Sequence, residues 1–239
     1  MNRLILSFLG MALTSLMARA EVHVWTLKHG KTVEAEYVAL AAGEVTLKTV
    51  RGRIRKVPLA GLCKEDRRYI ELLNPPRLDL ELGKTSDQRV YPPTYNESEL
   101  PRQTIYTFTA RVKQLSGRPY HRPLTLEFFN IGEENNGDKN ILYSYQKESF
   151  TLNGNGSEFT VSTQEIPVTA YVSYGQRRGE SYSGYMMVVK DERGEIIASK
   201  ATRNEWLEIA DKLCDLPVGR TFDPETGERC WPTRPSKFY

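Results

Sequence analysis

A mainly all-β fold is expected: a small SH3-like barrel, then an immunoglobulin-like β-sandwich with a short C-terminal helix. Three observations carry that expectation. Apolar and polar residues alternate at period two through most of the chain, the hallmark of half-buried strands. Turn residues recur at short spacing between the alternating runs. No helical period appears except in two short stretches, one after Pro58 and one after Asn204.

The first barrel strands lie in Val22 to Leu73, about 52 residues. His23-Val24-Trp25-Thr26-Leu27 is followed by Gly30, and Val33, Ala35 and Tyr37 then share one strand face while Glu34 and Glu36 share the other. Val45 and Leu47 repeat the pattern, with Gly43 and Gly52 as punctuation. After Pro58 the period changes, so that Tyr69, Ile70 and Leu73 fall on one helical face, and Asn74-Pro75-Pro76 stops the helix.

The sandwich is expected over residues 77–215. Tyr106, Phe108, Ala110 and Val112 alternate in one strand, and Leu124, Leu126 and Phe128 in another. Asn153-Gly154-Asn155-Gly156-Ser157, between Phe150-x-Leu152 and Phe159-x-Val161, reads as a hairpin turn. Val168, Ala170 and Val172 come next, then Tyr185 to Val189 and Ile196-Ile197-Ala198, giving about seven strands. Tyr91 to Arg102 and Glu133 to Asn140 are expected as loops. Asn204 to Cys214 reads as one amphipathic helix capped by Asn204, with Trp206, Ala210 and Leu213 packed on the sandwich.

Residues 1–20 carry the three parts of a secretory signal: Arg3, the apolar run Leu4 to Leu16, and Ala18-Arg19-Ala20 before a cut near Glu21. The run is shorter than the roughly 20 apolar residues of a spanning helix, so a secreted or periplasmic mature chain without a membrane span is expected. Removing Arg3 and Arg19 leaves 31 basic residues against 30 acidic, so net charge says little about partners. Residues 21–76 then form the barrel, 77–215 the sandwich and 216–239 a tail. Export favours disulfides. Of Cys63, Cys214 and Cys230, the nearest pair, Cys214 and Cys230, is expected to bridge and tether the tail, a closure worth about 3 kcal/mol. Cys63 is then a small buried residue.

Nothing in the sequence assembles an active site, and no enzyme is expected. His23, His29 and His121 lack metal-ligand spacing, so neither metal nor cofactor is expected. Gly179-Glu180-Ser181-Tyr182-Ser183 only begins like a nucleophile elbow, and the residues after it read as strand. Two binding signals remain. Arg51, Arg53 and Arg55 share one parity with Lys48 and Lys56 nearby, a basic edge that would suit an anionic partner or simply be solvated. The tyrosines, Tyr143-x-Tyr145 and Tyr171, Tyr174, Tyr182 and Tyr185 among them, would serve either strand packing or sugar stacking. Asn96 and Asn155 stand in Asn-x-Ser sequences, relevant only to a eukaryotic secretory route.

The order Trp25-Thr26, Gly30-Lys31, Val33 to Val38, Val45-Thr46-Leu47, Val57-Pro58-Leu59, Leu62, Asp66 and Tyr69-Ile70 resembles the Sla homology domain of the first type. That SH3-like module, first recognised in a yeast endocytic adaptor that reads Asn-Pro-Phe-type peptides, also recurs in exported bacterial proteins. Cys63 departs from the family's usual capping Ser, which weakens the helix start by about 1 kcal/mol. The resemblance implies an exported, non-enzymatic binding or scaffolding protein whose barrel takes a peptide or protein segment in the cell envelope. A groove beside Trp25 or Tyr37, with Lys48, Arg53 and Arg55 along the basic edge, is the expected binding surface. Nucleic acid is not expected. The alternative is a carbohydrate- or cell-wall-binding protein that uses the sandwich aromatics.

Overall fold

The computed structural model describes residues 22–92 and 101–233. The expected secretory leader, residues 1–20, and Asn96 lie outside the described residues, as does most of the loop expected between Tyr91 and Arg102. The chain divides into two compact units, one ending at Ile70 and one beginning at Glu71. Mainly β architecture holds in both.

In the first unit β1 (Val22–Thr26), β2 (Thr32–Ala41), β3 (Glu44–Thr49) and β4 (Ile54–Pro58) form an antiparallel sheet in chain order. The β2–β3 turn is the two-residue pair Ala42-Gly43, with φ of 50° and 77°. Positive φ at both positions matches the right-handed twist of the flanking strands. A 3-10 turn over Leu59–Gly61 then brings the chain back to β1, where Lys28 N–H donates to the Gly61 carbonyl at 2.9 Å and Cys63 N–H to that of Thr26 at 2.8 Å. Helix α1 (Lys64–Leu73) comes next and stops before Pro75-Pro76, as the sequence indicates. Trp25, Ala35, Val45, Leu47, Leu62 and Ile70 form the core. The buried face of the helix is set by Asp66 and Ile70, with Tyr69 half-buried.

In the second unit nine strands join in one hydrogen-bonded network among the described residues. They are β5 (Leu78–Val90), β6 (Arg102–Gln114), β7 (Tyr120–Glu134), β8 (Asn140–Leu152), β9 (Glu158–Ser162), β10 (Ile166–Ser173), β11 (Gln176–Lys190), β12 (Ile196–Ala201) and β13 (Thr221–Phe222). Strand β6 is flanked by β5 on one side and by β9 and β10 on the other. The 15-residue β11 joins the layers: its start pairs with β10, its remainder with β7, and its end also with β12. Leu80, Phe108, Ala110 and Val168 meet Leu124, Phe128, Met187 and Val189 in the core of the sandwich.

The segment Asn153 to Ser157 is not a hairpin turn. Strand β9 pairs with β6 and not with β8, so these residues carry the chain from one layer to the other. Gln114 fixes the crossing, its Oε1 accepting from Gly154 N–H at 3.2 Å and its carbonyl from Gly156 N–H at 2.9 Å. Phe150 and Phe159 stack across it at 4.4 Å. The aromatic packing decides the route, and the glycines make the bend.

The expected single helix is two short ones, α2 (Glu205–Glu208) and α3 (Ala210–Cys214), broken at Ile209. Asn204 makes no side-chain cap. Trp206, Ile209, Ala210 and Leu213 nonetheless cover the second face of the β7–β8–β11 layer, against Phe129, Ile131, Leu142, Met186 and Val188. Each strand of that layer therefore buries both parities.

The expected Cys214–Cys230 bridge is not formed; Cys63, Cys214 and Cys230 are all free thiols. The described part of the tail is held instead by main-chain pairing. Strand β13 adds to β8, Cys230 N–H donates to the Thr221 carbonyl at 3.0 Å, and the Thr221 hydroxyl donates to the Cys230 carbonyl at 2.6 Å. Cys214 lies at the end of α3 beside Tyr145, in the second core cluster.

Candidate functional site

The first unit is organised around Asp66. Its carboxylate is buried, with Oδ1 2.8 Å from His23 Nε2 and Oδ2 accepting the Thr26 N–H. One side chain on α1 thus holds both ends of β1. His23 stacks on Tyr69 at 4.4 Å and meets the edge of Trp25 at 4.6 Å. An acceptor that satisfies a strand amide and an imidazole together is costly to lose, since two half-buried partners would be left unpaired at once. Sequence reasoning placed His23 in a strand and went no further. The available signal was the Asp at the third position of a helix whose preceding residue caps poorly.

Cys63 does act as that cap: its Sγ accepts the Asp66 N–H at 3.4 Å. This hydrogen bond pulls the thiol pKa down, but burial and the Asp66 and Glu65 carboxylates outweigh it, and the pKa is raised. A thiol held in its protonated form is the opposite of an activated nucleophile. The residue is structural.

The structure separates the five residues expected to bind. Trp25 is 1% exposed and its indole N–H donates to the Ala35 carbonyl at 2.9 Å, so it does not line a groove. It stiffens the sheet from beneath. Tyr37 is half-buried against the same core, 6.4 Å from Trp25. Lys48 is exposed and lies 4.0 Å from Glu36. Arg53 and Arg55 are exposed on the β3–β4 hairpin. Cross-strand pairing sets Lys48 opposite Ile54 and Leu47 opposite Arg55. The basic edge is therefore two groups, Lys48 with Lys56 on one face of the hairpin and Arg53 with Arg55 on the other.

The outer face of this sheet carries a feature not foreseen. Register aligns Val22, Glu36, Lys48 and Ile54 across the four strands, with Val24 beside Glu34. Val24 is 51% and Ile54 68% exposed, and Val38, exposed too, sits at the β-bulge between Tyr37 and Ala39. Apolar side chains thus flank a Glu–Lys centre on a sheet whose other face is core. The signal was the parity of Val22, Val24 and Ile54, opposite to that of the core residues.

The tyrosines of the second unit do not form a solvent-facing row. Tyr106, Phe108 and Tyr182 stack on one another, at 5.6 Å between the first two and 4.8 Å between the last two, and Lys84 lies 5.0 Å over the Tyr182 ring. Burial holds the hydroxyls of Tyr143 and Tyr182 well above the ordinary tyrosine range. Tyr174 is largely exposed, alone in the β10–β11 turn. Gly179 to Ser183 lies within β11, where no strand-to-helix elbow exists. Among the described residues no group of three or more His, Cys, Asp or Glu gathers as a metal site, and no helix is long and apolar enough to cross a membrane.

Solved structures resemble the chain only distantly. A crystal structure from Akkermansia muciniphila is 15% identical, with 54% of this chain and 73% of that chain covered, at a TM-score of 0.25. The putative ApaA protein from Bordetella pertussis is 12% identical over 51% of this chain and 92% of its own, at a TM-score of 0.20. Likeness at this level carries no functional information. No curated protein matches. Residues 16–77, by contrast, match the family model of SLA1 homology domain 1, a protein-interaction family. The unit built from β1 to β4 and α1 is an SHD1 domain.

Proposed function

We propose that this is an exported, non-enzymatic binding or scaffolding protein whose SHD1 domain takes a peptide or protein segment in the cell envelope. The observation that carries this reading is the outer sheet face of the domain, where Val22, Val24 and Ile54 surround the Glu36–Lys48 pair. Scattered exposed apolar residues are ordinary, but a set aligned across one rigid sheet offers area for a partner. Lys56, exposed on the same face of the hairpin as Lys48 and Ile54, would favour an acidic flank on that partner. The leader supports export, and the SHD1 match supports a protein ligand. The sugar-binding alternative loses its main support because the sandwich tyrosines are largely packed inside.

Affinity capture from an envelope extract tests the proposal when wild type is run beside Val24→Asp/Ile54→Asp. A partner held by wild type and at least tenfold depleted with the variant is expected. Equal capture by both proteins would remove the face from consideration.

A further inference from the structure

Strand β5 ends the sheet of the second unit, and its last residues have no strand beyond them among those described. Near its start the open side is occupied: Lys200 Nζ donates to the Leu80 carbonyl at 2.6 Å. From Gly83 to Val90 every residue is exposed. Long open edges of this kind template pairing with another chain.

The hydrogen bonding states which residues face the opening. Tyr91 N–H donates to the Pro101 carbonyl at 3.0 Å, and Leu115 N–H to the Arg77 carbonyl at 2.8 Å. Both fit the β5–β6 register, which pairs Leu78 with Gln114 and Val90 with Arg102. Odd-numbered residues of β5 therefore bond to β6, and even-numbered ones direct N–H and C=O to the open side. The Leu80 carbonyl, reached by Lys200 from that side, agrees. Lys84, Ser86, Gln88 and Val90 thus present the free main-chain groups.

We infer that this edge pairs with the same edge of a second copy of the chain, antiparallel about a two-fold axis at Gln88. Hydrogen-bonded pairs across such an axis must join even residues, so the odd residues oppose one another in the close, non-bonded positions. An axis at Gln88 sets Asp87 opposite the partner's Arg89 and Arg89 opposite the partner's Asp87. Ser86 then pairs with the partner's Val90, and about six main-chain bonds form. Neighbouring registers fail: an axis at Asp87 opposes two aspartates, and one at Arg89 opposes two arginines. An axis at Ser86 opposes no charges and runs back toward the part of the edge that Lys200 covers. The contact is short, so the dimer is reversible and concentration-dependent.

Sedimentation of the purified protein from micromolar to about millimolar concentration tests this. Wild type is expected to shift from monomer to dimer. Asp87→Arg and Arg89→Asp alone should each weaken self-association about tenfold or more, because both symmetry-related pairs turn repulsive. An equimolar mixture of the two variants should regain dimer as a heterodimer, since each Asp of one copy again meets an Arg of the other. Gln88→Pro should abolish dimer while keeping the fold, its lost N–H being on the open side. A wild type that stays monomeric throughout, a dimer indifferent to the single reversals, or a mixture that fails to recover would each overturn the inference.

Discussion

Two sheets in this protein differ in how many faces they bury. The four-stranded sheet of the SHD1 domain packs one face on Trp25, Ala35, Val45 and Leu47 and leaves the other to solvent. The β7–β8–β11 layer buries both, one in the sandwich and one under α2 and α3. A sheet covered twice gains stability and loses any surface to offer. Much of the aromatic wealth of the second unit goes into that packing, whereas the smaller domain keeps a face free and rigid. The function proposed above therefore uses the domain with the smaller core.

The largest test of that contrast is removal of the helix cover. Trp206 is fully buried on the second face, so Trp206→Ala should cost about 3–5 kcal/mol, measured by denaturant unfolding. Ile54→Asp on the free face should stay within about 0.5 kcal/mol of wild type. A similar loss at both positions would erase the distinction between the sheets. Next in size is Asp66→Ala, which leaves the Thr26 amide and His23 without their acceptor. A loss of about 1–3 kcal/mol is expected, with faster amide exchange in β1. If β1 protection is unchanged, the clamp does not hold the sheet. The smallest change is a gain: Cys63→Ser replaces a weak sulfur acceptor with a hydroxyl and should stabilise the domain by about 0.5–1 kcal/mol, read from the same unfolding curves.

Local patterns were legible where one parity is buried and the other wet. That held for β2 and β3, for Tyr106 to Val112, and for the helix stop at Pro75-Pro76. Long-range facts were not. Gly154 and Gly156 announce a bend, but whether the bend keeps the chain in one layer depends on Phe150 meeting Phe159 from the other. Strand β5 was missed although Leu78, Leu80 and Leu82 alternate, because its second half is polar on both faces. Among the site residues, Trp25 looked like a platform only because composition cannot separate a buried aromatic from an exposed one. The cysteine pair was chosen by sequence proximity; Cys214 and Cys230 both lie near the packing of α3 and β13, yet both are free thiols. Val24 and Ile54 were overlooked since exposed apolar residues carry no motif.

The function proposed above requires a partner to sit on the free face of the SHD1 sheet. Hydrogen–deuterium exchange of the whole protein, alone and with a partner obtained by the affinity capture proposed above, tests that requirement. The expected result is partner-dependent slowing in β1 to β4, centred on Val22 to Val24 and Lys48 to Ile54, with β7, β8 and β11 unchanged. Slowing confined to the second unit, with the SHD1 strands exchanging as in the free protein, would contradict it.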